Sequence, residues 1–274
     1  MSLLQTVARR TSGLVGRESR FIRRLRPAYE SLLEWSGRGR GAAWAINGVV
    51  YRVDPHCRHR LGQNYDAPVA RFLRERVRPG ALCIDVGANV GVYVLQFAHW
   101  SGPTGQVVAF EPNPTARAIL EKHVRMNALT ERVRVVNAAV GATSGEAILY
   151  AAEADGMSRL GAPNKELAGN FYEVAVSVMT LDDYCAAERL KPDWLLIDIE
   201  GFEMAALAGA RELINNCRGE LGIIVEMHPS VWDSANTTRA GAEALLADLN
   251  LRAVPLMGQA DALGEHGLVH LAYQ

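Results

Sequence analysis

The chain predicts an α/β fold, a doubly wound and mostly parallel sheet of seven strands, with a β-hairpin insertion and an N-terminal helical extension. Three observations carry this reading. From residue 81 onward, short apolar runs alternate with segments of helical period, the pattern of repeated strand–helix–strand units. The stretch "CIDVGANVGVY" (83–93) leaves an apolar run through two glycines and re-enters apolar sequence, a strand that turns directly into a helix. At 274 residues, 49% apolar and 22% charged, the chain is long enough to bury one large core.

Taken in order, residues 1–60 form a basic N-terminal helical arm and a short β segment. They hold twelve arginines and no lysine against Glu18, Glu30, Glu34 and Asp54, a net +8 that leaves −9 on the remaining 214 residues. Within 1–36 the arginines interleave with leucine, valine and isoleucine. A basic amphipathic helix of that kind could lie on an anionic membrane surface, pack on a second copy as a homodimer, or stand solvated. "GRGRGAA" (37–43) reads as a joint, and "WAINGVVYRV" as a hairpin turning at Asn47-Gly48. Residues 61–274 form the second domain. It begins with a helix over 67–77, where Val69, Phe72, Leu73 and Val77 share a face and Pro79-Gly80 ends the run. Strands follow at 81–86, 106–111, 132–137, 193–198, 221–226, 251–255 and 267–273, with helices at 91–100, 114–128, 203–216 and 238–249. The interval 143–180 breaks the alternation. Two β-like stretches, "EAILYAA" and "YEVAVSVMT", flank the polar "DGMSRLGAPNKELAGN", a hairpin insertion with a long loop.

Several classes fall away. No apolar run reaches the roughly 20 residues of a spanning helix, and Arg9 and Arg10 interrupt any secretory core, so the expected location is cytoplasmic, with membrane association at the inner face through 1–36 as the variant. Cys57, Cys83, Cys185 and Cys217 are scattered without a CxxC pair and read as reduced packing residues. An acidic remainder without a basic-aromatic platform argues against nucleic acid.

The chemistry gathers at strand ends. A strand that turns through glycines into a helix offers free backbone N–H groups and close approach for a ligand, which side chains at Gly87 and Gly91 would block. The pattern is D-x-G-x-N-x-G rather than G-x-G-x-x-G, so Gly87-Ala88-Asn89 lacks the second glycine of a nicotinamide-binding turn. Asp85 could accept from an ammonium or hydroxyl, whereas a pyrophosphate would be repelled there. Glu111, 26 residues on at the end of "VVAFEPNP", stands where such folds bond a ribose diol. A cofactor with ribose and no pyrophosphate fits both, and S-adenosylmethionine is one.

The motifs "CIDVGANVGVY", "VVAFEPNP", "VVNAAVG", "TLDDY" and "LLIDIEGFEMAALAGA" stand in an order that resembles the FkbM family of S-adenosylmethionine-dependent methyltransferases, over about residues 62 to 228. The resemblance implies the seven-stranded class I methyltransferase fold and methylation of hydroxyl groups on natural products, including macrolides and sugars. By position it implies that Asp85, Gly87, Asn89 and Gly91 form the cofactor turn, that Glu111 holds the ribose with Asn113 beside it, and that Asn137 meets the adenine. The acceptor it implies is a small-molecule hydroxyl on a sugar, glycolipid or polyketide-type product.

The residues that could carry the transfer follow "DWLLID". Asp198, Glu200 and Glu203 cluster around Gly201, and "VEMHP" brings Glu226 and His228 to the end of the next strand. A hydroxyl attacking a methyl group must lose its proton, and Asp198, Glu200 or His228 could take it. His228 titrates near neutrality in the unperturbed case, which suits a base, and a loop histidine ahead of Pro229 is the alternative. Asp198 could instead bind the cofactor's amino group. A divalent metal held by Asp198, Glu200, Glu226 and His228 is the metal-assisted variant, although no dedicated ligand spacing marks it. His56, His59, His99, His123, His266 and His270 read as core or surface packing residues. In the insertion loop, Ser158, Arg159 and Asn164 could bind a polar acceptor or a phosphate, or form a solvated tip. N-methyl transfer to a small molecule, a nicotinamide-dependent oxidoreductase and a non-catalytic membrane- or partner-binding protein are the other functions these residues leave open.

Overall fold

The computed structural model describes residues 30–31, 40–58, 61–152, 158–161 and 171–274, and the chain divides into two compact units, Met1–Tyr65 and Asp66–Gln274. The basic stretch 1–29, His59 and Asn164 lie outside the described residues. In the first unit, β1 (Ala42–Ile46) and β2 (Val49–Val53) pair antiparallel with Ile46 opposite Val49. The turn between them places Asn47 and Gly48 at φ 48° and 85°, the left-handed pair that a two-residue hairpin requires.

The second unit opens with α1 (Ala67–Arg74), which stops three residues before the expected end. Then β3 (Leu82–Val86), α2 (Val92–Trp100), β4 (Gln106–Phe110), α3 (Pro114–Met126) and β5 (Val133–Val136) build one half of a sheet by parallel pairing. The chain next forms β6 (Ala139–Val140), β7 (Gly145–Ala151), β8 (Arg159–Leu160) and β9 (Tyr172–Met179), a separate small sheet ordered β6-β9-β7-β8. Its centre is the antiparallel pair β7–β9, running from Gly145 opposite Val178 to Ala151 opposite Tyr172, which is the expected hairpin insertion.

A helix absent from the sequence reading follows, α4 (Leu181–Glu188), whose Thr180 side chain accepts from the Asp183 N–H. After β10 (Trp194–Ile197), the expected single helix 203–216 is two, α5 (Glu203–Ala208) and α6 (Arg211–Asn216). Asp182 explains the break: its carboxylate accepts from the N–H groups of Glu212 and Leu213, capping a new helix there. β11 (Gly222–Met227), α7 (Arg239–Asp248), β12 (Leu251–Pro255) and β13 (Gly267–Tyr273) complete the domain.

The large sheet runs β12-β13-β11-β10-β3-β4-β5, with β13 alone antiparallel to its neighbours. Its seven strands match the expected ones within about a residue at each end, and the architecture is the class I methyltransferase fold. The winding order reverses between the parallel neighbours β3 and β10, since β3 leads outward to β4 and β10 leads the other way to β11. Ligands of doubly wound sheets bind at the carboxyl ends beside such a switch point. Ile84, Leu195, Ile197, Ile223 and Val225 are fully buried around it, so the rim above stands on a rigid core. All four cysteines are free and buried. Among the described residues no helix is long and apolar enough to cross a membrane.

Candidate functional site

A cleft opens at the carboxyl ends of β3, β4 and β10, and β7 and β8 of the inserted sheet wall one side. Of the residues singled out by sequence, Gly87, Asn89, Glu111, Asn113, Ser158, Arg159, Asp198 and Glu200 line it. Asp85, Gly91, Asn137 and His228 stand outside its lining, Asp85 and His228 buried just behind and Asn137 exposed with its Oδ1 accepting from Arg117.

The glycine turn is built differently from expectation. Its N–H groups are not free for a ligand: those of Gly87 and Ala88 both donate to the Phe110 carbonyl at 3.0 Å, that of Gly91 to Ala88, and that of Asn89 to Glu111 Oε2 at 2.6 Å. Nor do the glycines clear space for a ligand. Gly87 sits at φ 84°, and a Cβ there would lie 1.9 Å from the Asp198 carbonyl oxygen. Gly91 sits at φ 89°, where a Cβ would lie 2.5 Å from Leu120. Both are glycine because the backbone of β10 and the side chains of α3 press against the turn.

Glu111 is fixed at both oxygens. Oε2 accepts from Asn89 N–H and Oε1 from Asn113 N–H at 2.8 Å, which aims the remaining lone pairs into the cleft. Burial raises its pKa to about 7, against the two backbone bonds and the Arg117 charge that hold it down. Asn113 does structural duty. Its Oδ1 caps α3 through Thr115 N–H, and its Nδ2 donates to the Ala152 carbonyl and to Ser158 Oγ, tying the inserted sheet to the main one. Asp85 is 2% exposed, and burial with the charges of Asp198 and Glu111 raises its pKa well above the carboxylate range. Among the described residues, Asp85 Oδ2, Asn89 Oδ1 and the Nε and Nη2 of Arg159 are buried with no hydrogen-bond partner. Unsatisfied groups of this kind each cost about 1–3 kcal/mol, so a cleft that keeps several is one a ligand completes.

On the other side of the switch point the acids crowd together. Burial first, then Glu226, push Asp198 well above the ordinary carboxylate pKa, and the two share a hydrogen bond. His228 Nδ1 lies 2.7 Å from Glu203 Oε1, and its Nε2 faces Asp198 at 3.9 Å and Glu200 at 4.0 Å, ion-pair rather than hydrogen-bond distances. Burial lowers the His228 pKa, but the Glu203 bond and the charges of Asp198, Glu203 and Glu200 outweigh it and bring the imidazole to about 9. The shift runs upward from the near-neutral value of a free histidine, which favours the protonated ring over the proton acceptor suggested by the sequence.

Glu203 is the residue whose importance the sequence hid. Fully buried at the first position of α5, it accepts from Gly201 N–H at 2.8 Å, His228 and Trp232 Nε1 at 2.9 Å. His266 stands beside this cluster at the surface. Its Nε2 lies 2.9 Å from Glu226 Oε1, and its ring stands 4.8 Å from that of His228. Antiparallel pairing places Met227 opposite Gly267 and so delivers residue 266 to the site. Ligand atoms of Glu226, His228 and His266 lie within 4.8 Å of one another and could offer a metal two nitrogens and an oxygen, a set different from the expected Asp198, Glu200, Glu226 and His228. Its widest spacing exceeds the roughly 3.3 Å edge that bonds of about 2.0–2.1 Å imply. His123 does pack as expected, fully buried with Nδ1 2.7 Å from the Val90 carbonyl.

The chain is similar to known proteins. The model of the methyltransferase FkbM domain matches residues 85–250. A 31-O-demethyl-FK506 methyltransferase FkbM of Streptomyces tacrolimicus is 34% identical over a 172-residue alignment that covers 52% of this chain and 64% of that relative, so the chain spans less than two thirds of its length. The crystal structure of a methyltransferase FkbM from Methylobacillus flagellatus KT is 15% identical with a TM-score of 0.47, over 74% of this chain and 50% of that one. An O-methyltransferase from Bacillus cereus in complex with SAH is 15% identical with a TM-score of 0.45, over 77% and 81% of the two chains.

Proposed function

The chain belongs to the FkbM family of methyltransferase domains, and from that premise we propose that it binds S-adenosylmethionine in the cleft and methylates a hydroxyl group of a small-molecule acceptor, a sugar, glycolipid or polyketide-type product. The observation that supports it most is Glu111, a carboxylate pinned at both oxygens by backbone N–H groups and facing a cleft whose neighbours Asp85 and Asn89 lack donors. The fit is specific. Glu111 would hold the ribose diol, and the unsatisfied oxygens of Asp85 and Asn89 would take cationic or N–H donors. When bound, the cofactor supplies a methyl group made electrophilic by its sulfonium.

The protein's own part is to align and to move a proton. Glu200 lines the cleft between two cations, Arg159 at 3.7 Å and His228 at 4.0 Å, and is the carboxylate placed to receive the hydroxyl proton. Asp198, protonated or sharing a proton with Glu226, is the poorer base and faces the cofactor side. His228 acts through them as a positioning residue, an imidazolium held by Glu203 whose charge keeps Glu200 in place. Alignment of acceptor and methyl group supplies most of the rate.

Methyl transfer from tritiated S-adenosylmethionine to a panel of sugar and polyketide hydroxyls tests this reading. Glu200→Gln is expected to lose about 100-fold or more of the turnover rate while binding S-adenosylhomocysteine as the wild type does. A Glu200→Gln enzyme with unchanged turnover would remove Glu200 from the role of base.

A further inference from the structure

Arg159 enters the cleft from the inserted sheet, where β7 pairs with β8 and Tyr150 stands opposite Arg159. It is 7% exposed, and among the described residues it is the one cation in a lining that also holds Glu111, Asp198 and Glu200. Glu200 Oε2 lies 3.7 Å from its Nη2, near enough to balance charge and too far for a hydrogen bond. Among the described residues, the Nε and Nη2 of the guanidinium have no hydrogen-bond acceptor. These two nitrogens form the edge of the guanidinium that meets a carboxylate or phosphate in two parallel bonds. A buried cation with its fork unfilled, beside a ligand cleft, is an incomplete recognition element rather than a structural ion pair.

We infer that Arg159 is an anion-recognition residue of the cleft, its fork taking two oxygens of a carboxylate or phosphate on a bound ligand. The inference rests on the proposed cofactor reading for its setting. The anion has two sources, the amino-acid carboxylate of the cofactor or an acidic group on the acceptor. Either way the inserted sheet is part of the binding site, since β8 carries the fork and Ser158 beside it bonds Asn113 at the head of α3.

Calorimetric titration of the full chain separates the sources. Wild type, Arg159→Gln and Arg159→Lys are each titrated with S-adenosylhomocysteine, with 5′-methylthioadenosine, which lacks the carboxylate, and with inorganic phosphate in the presence and absence of S-adenosylhomocysteine. If the cofactor supplies the anion, Arg159→Gln weakens S-adenosylhomocysteine tenfold or more and methylthioadenosine less than twofold. If the acceptor supplies it, both nucleosides bind unchanged and phosphate binding weakens at least fivefold. Arg159→Lys, which keeps the charge and loses the fork, is expected between wild type and Arg159→Gln, and it carries the test if Arg159→Gln does not fold. Equal weakening of both nucleosides would overturn the inference by reducing Arg159 to a shape element, and so would a variant that matches wild type with every probe. Wild type that binds neither nucleoside would sink the cofactor reading instead, with the phosphate titration still deciding for or against Arg159.

Discussion

The two halves of the sheet rim are built on opposite principles. At the ends of β3 and β4 the polar groups are held by backbone: the N–H groups of Gly87, Ala88, Asn89 and Asn113 are all committed, and Glu111 is fixed by two of them. At the ends of β10 and β11 the groups are held by side-chain charge: Asp198, Glu200, Glu203, Glu226, His228 and His266 lean on one another. Backbone hydrogen bonds change little with pH and fix geometry. A cluster of titratable side chains shifts its charge with whatever enters. The first half suits a constant ligand such as a cofactor, and the second suits proton transfer to or from a variable one.

The halves meet at Gly87, so the largest effect comes from there. Gly87→Ala would drive a methyl group into the Asp198 carbonyl at a left-handed φ, which no side-chain rotation relieves. We expect a loss of about 3 kcal/mol or more and a fall in melting temperature of about 10 °C, or no folded protein. A near-normal melt would show that the two halves are not locked together at this point.

The acidic half should reveal itself by pH. The folded pKa of His228, about 9, stands above its unfolded value of 6.5. The imidazolium therefore adds stability that is fully present below 6.5 and is lost as pH rises through 9. Over that window the loss is about 3 kcal/mol at most, read as a falling melting temperature. Glu203→Gln, which removes the main partner, should flatten the profile. A pH-independent melt between 6.5 and 9 would contradict the charged His228–Glu203 pair.

The backbone-held half should show a smaller dependence, and only in binding. Glu111 titrates at about 7, and only its ionised form accepts from both hydroxyls of a diol. Affinity for S-adenosylhomocysteine should then rise as pH passes upward through 7, by up to about tenfold per unit below it, and should be flat in Glu111→Gln.

Much of this rim was legible before the structure. The seven strands are apolar runs bounded by polar or glycine residues, and the motif spacing put Asp85, Glu111 and Asp198 at strand ends. What stayed hidden depends on contacts between distant segments. The helix Leu181–Glu188 carries its own signal in Thr180-x-x-Asp183, a side-chain cap that was read only as part of a motif. His266 reaches Glu226 only through the antiparallel register of β13, and Arg159 reaches Glu200 only because the insertion folds back over the cleft. Glu203 was visible as a third acid, but its three bonds come from Gly201, His228 and Trp232, which no local spacing links. The reason for Gly87 was legible as a left-handed turn, while the carbonyl pressing on it lies 111 residues away.

The measurement that bears most directly on the account is calorimetric titration of S-adenosylhomocysteine into wild type and Glu111→Gln at pH 8, with melting curves to confirm that both are folded. The account predicts one micromolar site in the wild type and a loss of about 100-fold or more in the variant, since an amide cannot accept from both hydroxyls at a site already shaped by two N–H donors. Absence of binding to the folded wild type, or equal binding by Glu111→Gln, would contradict it.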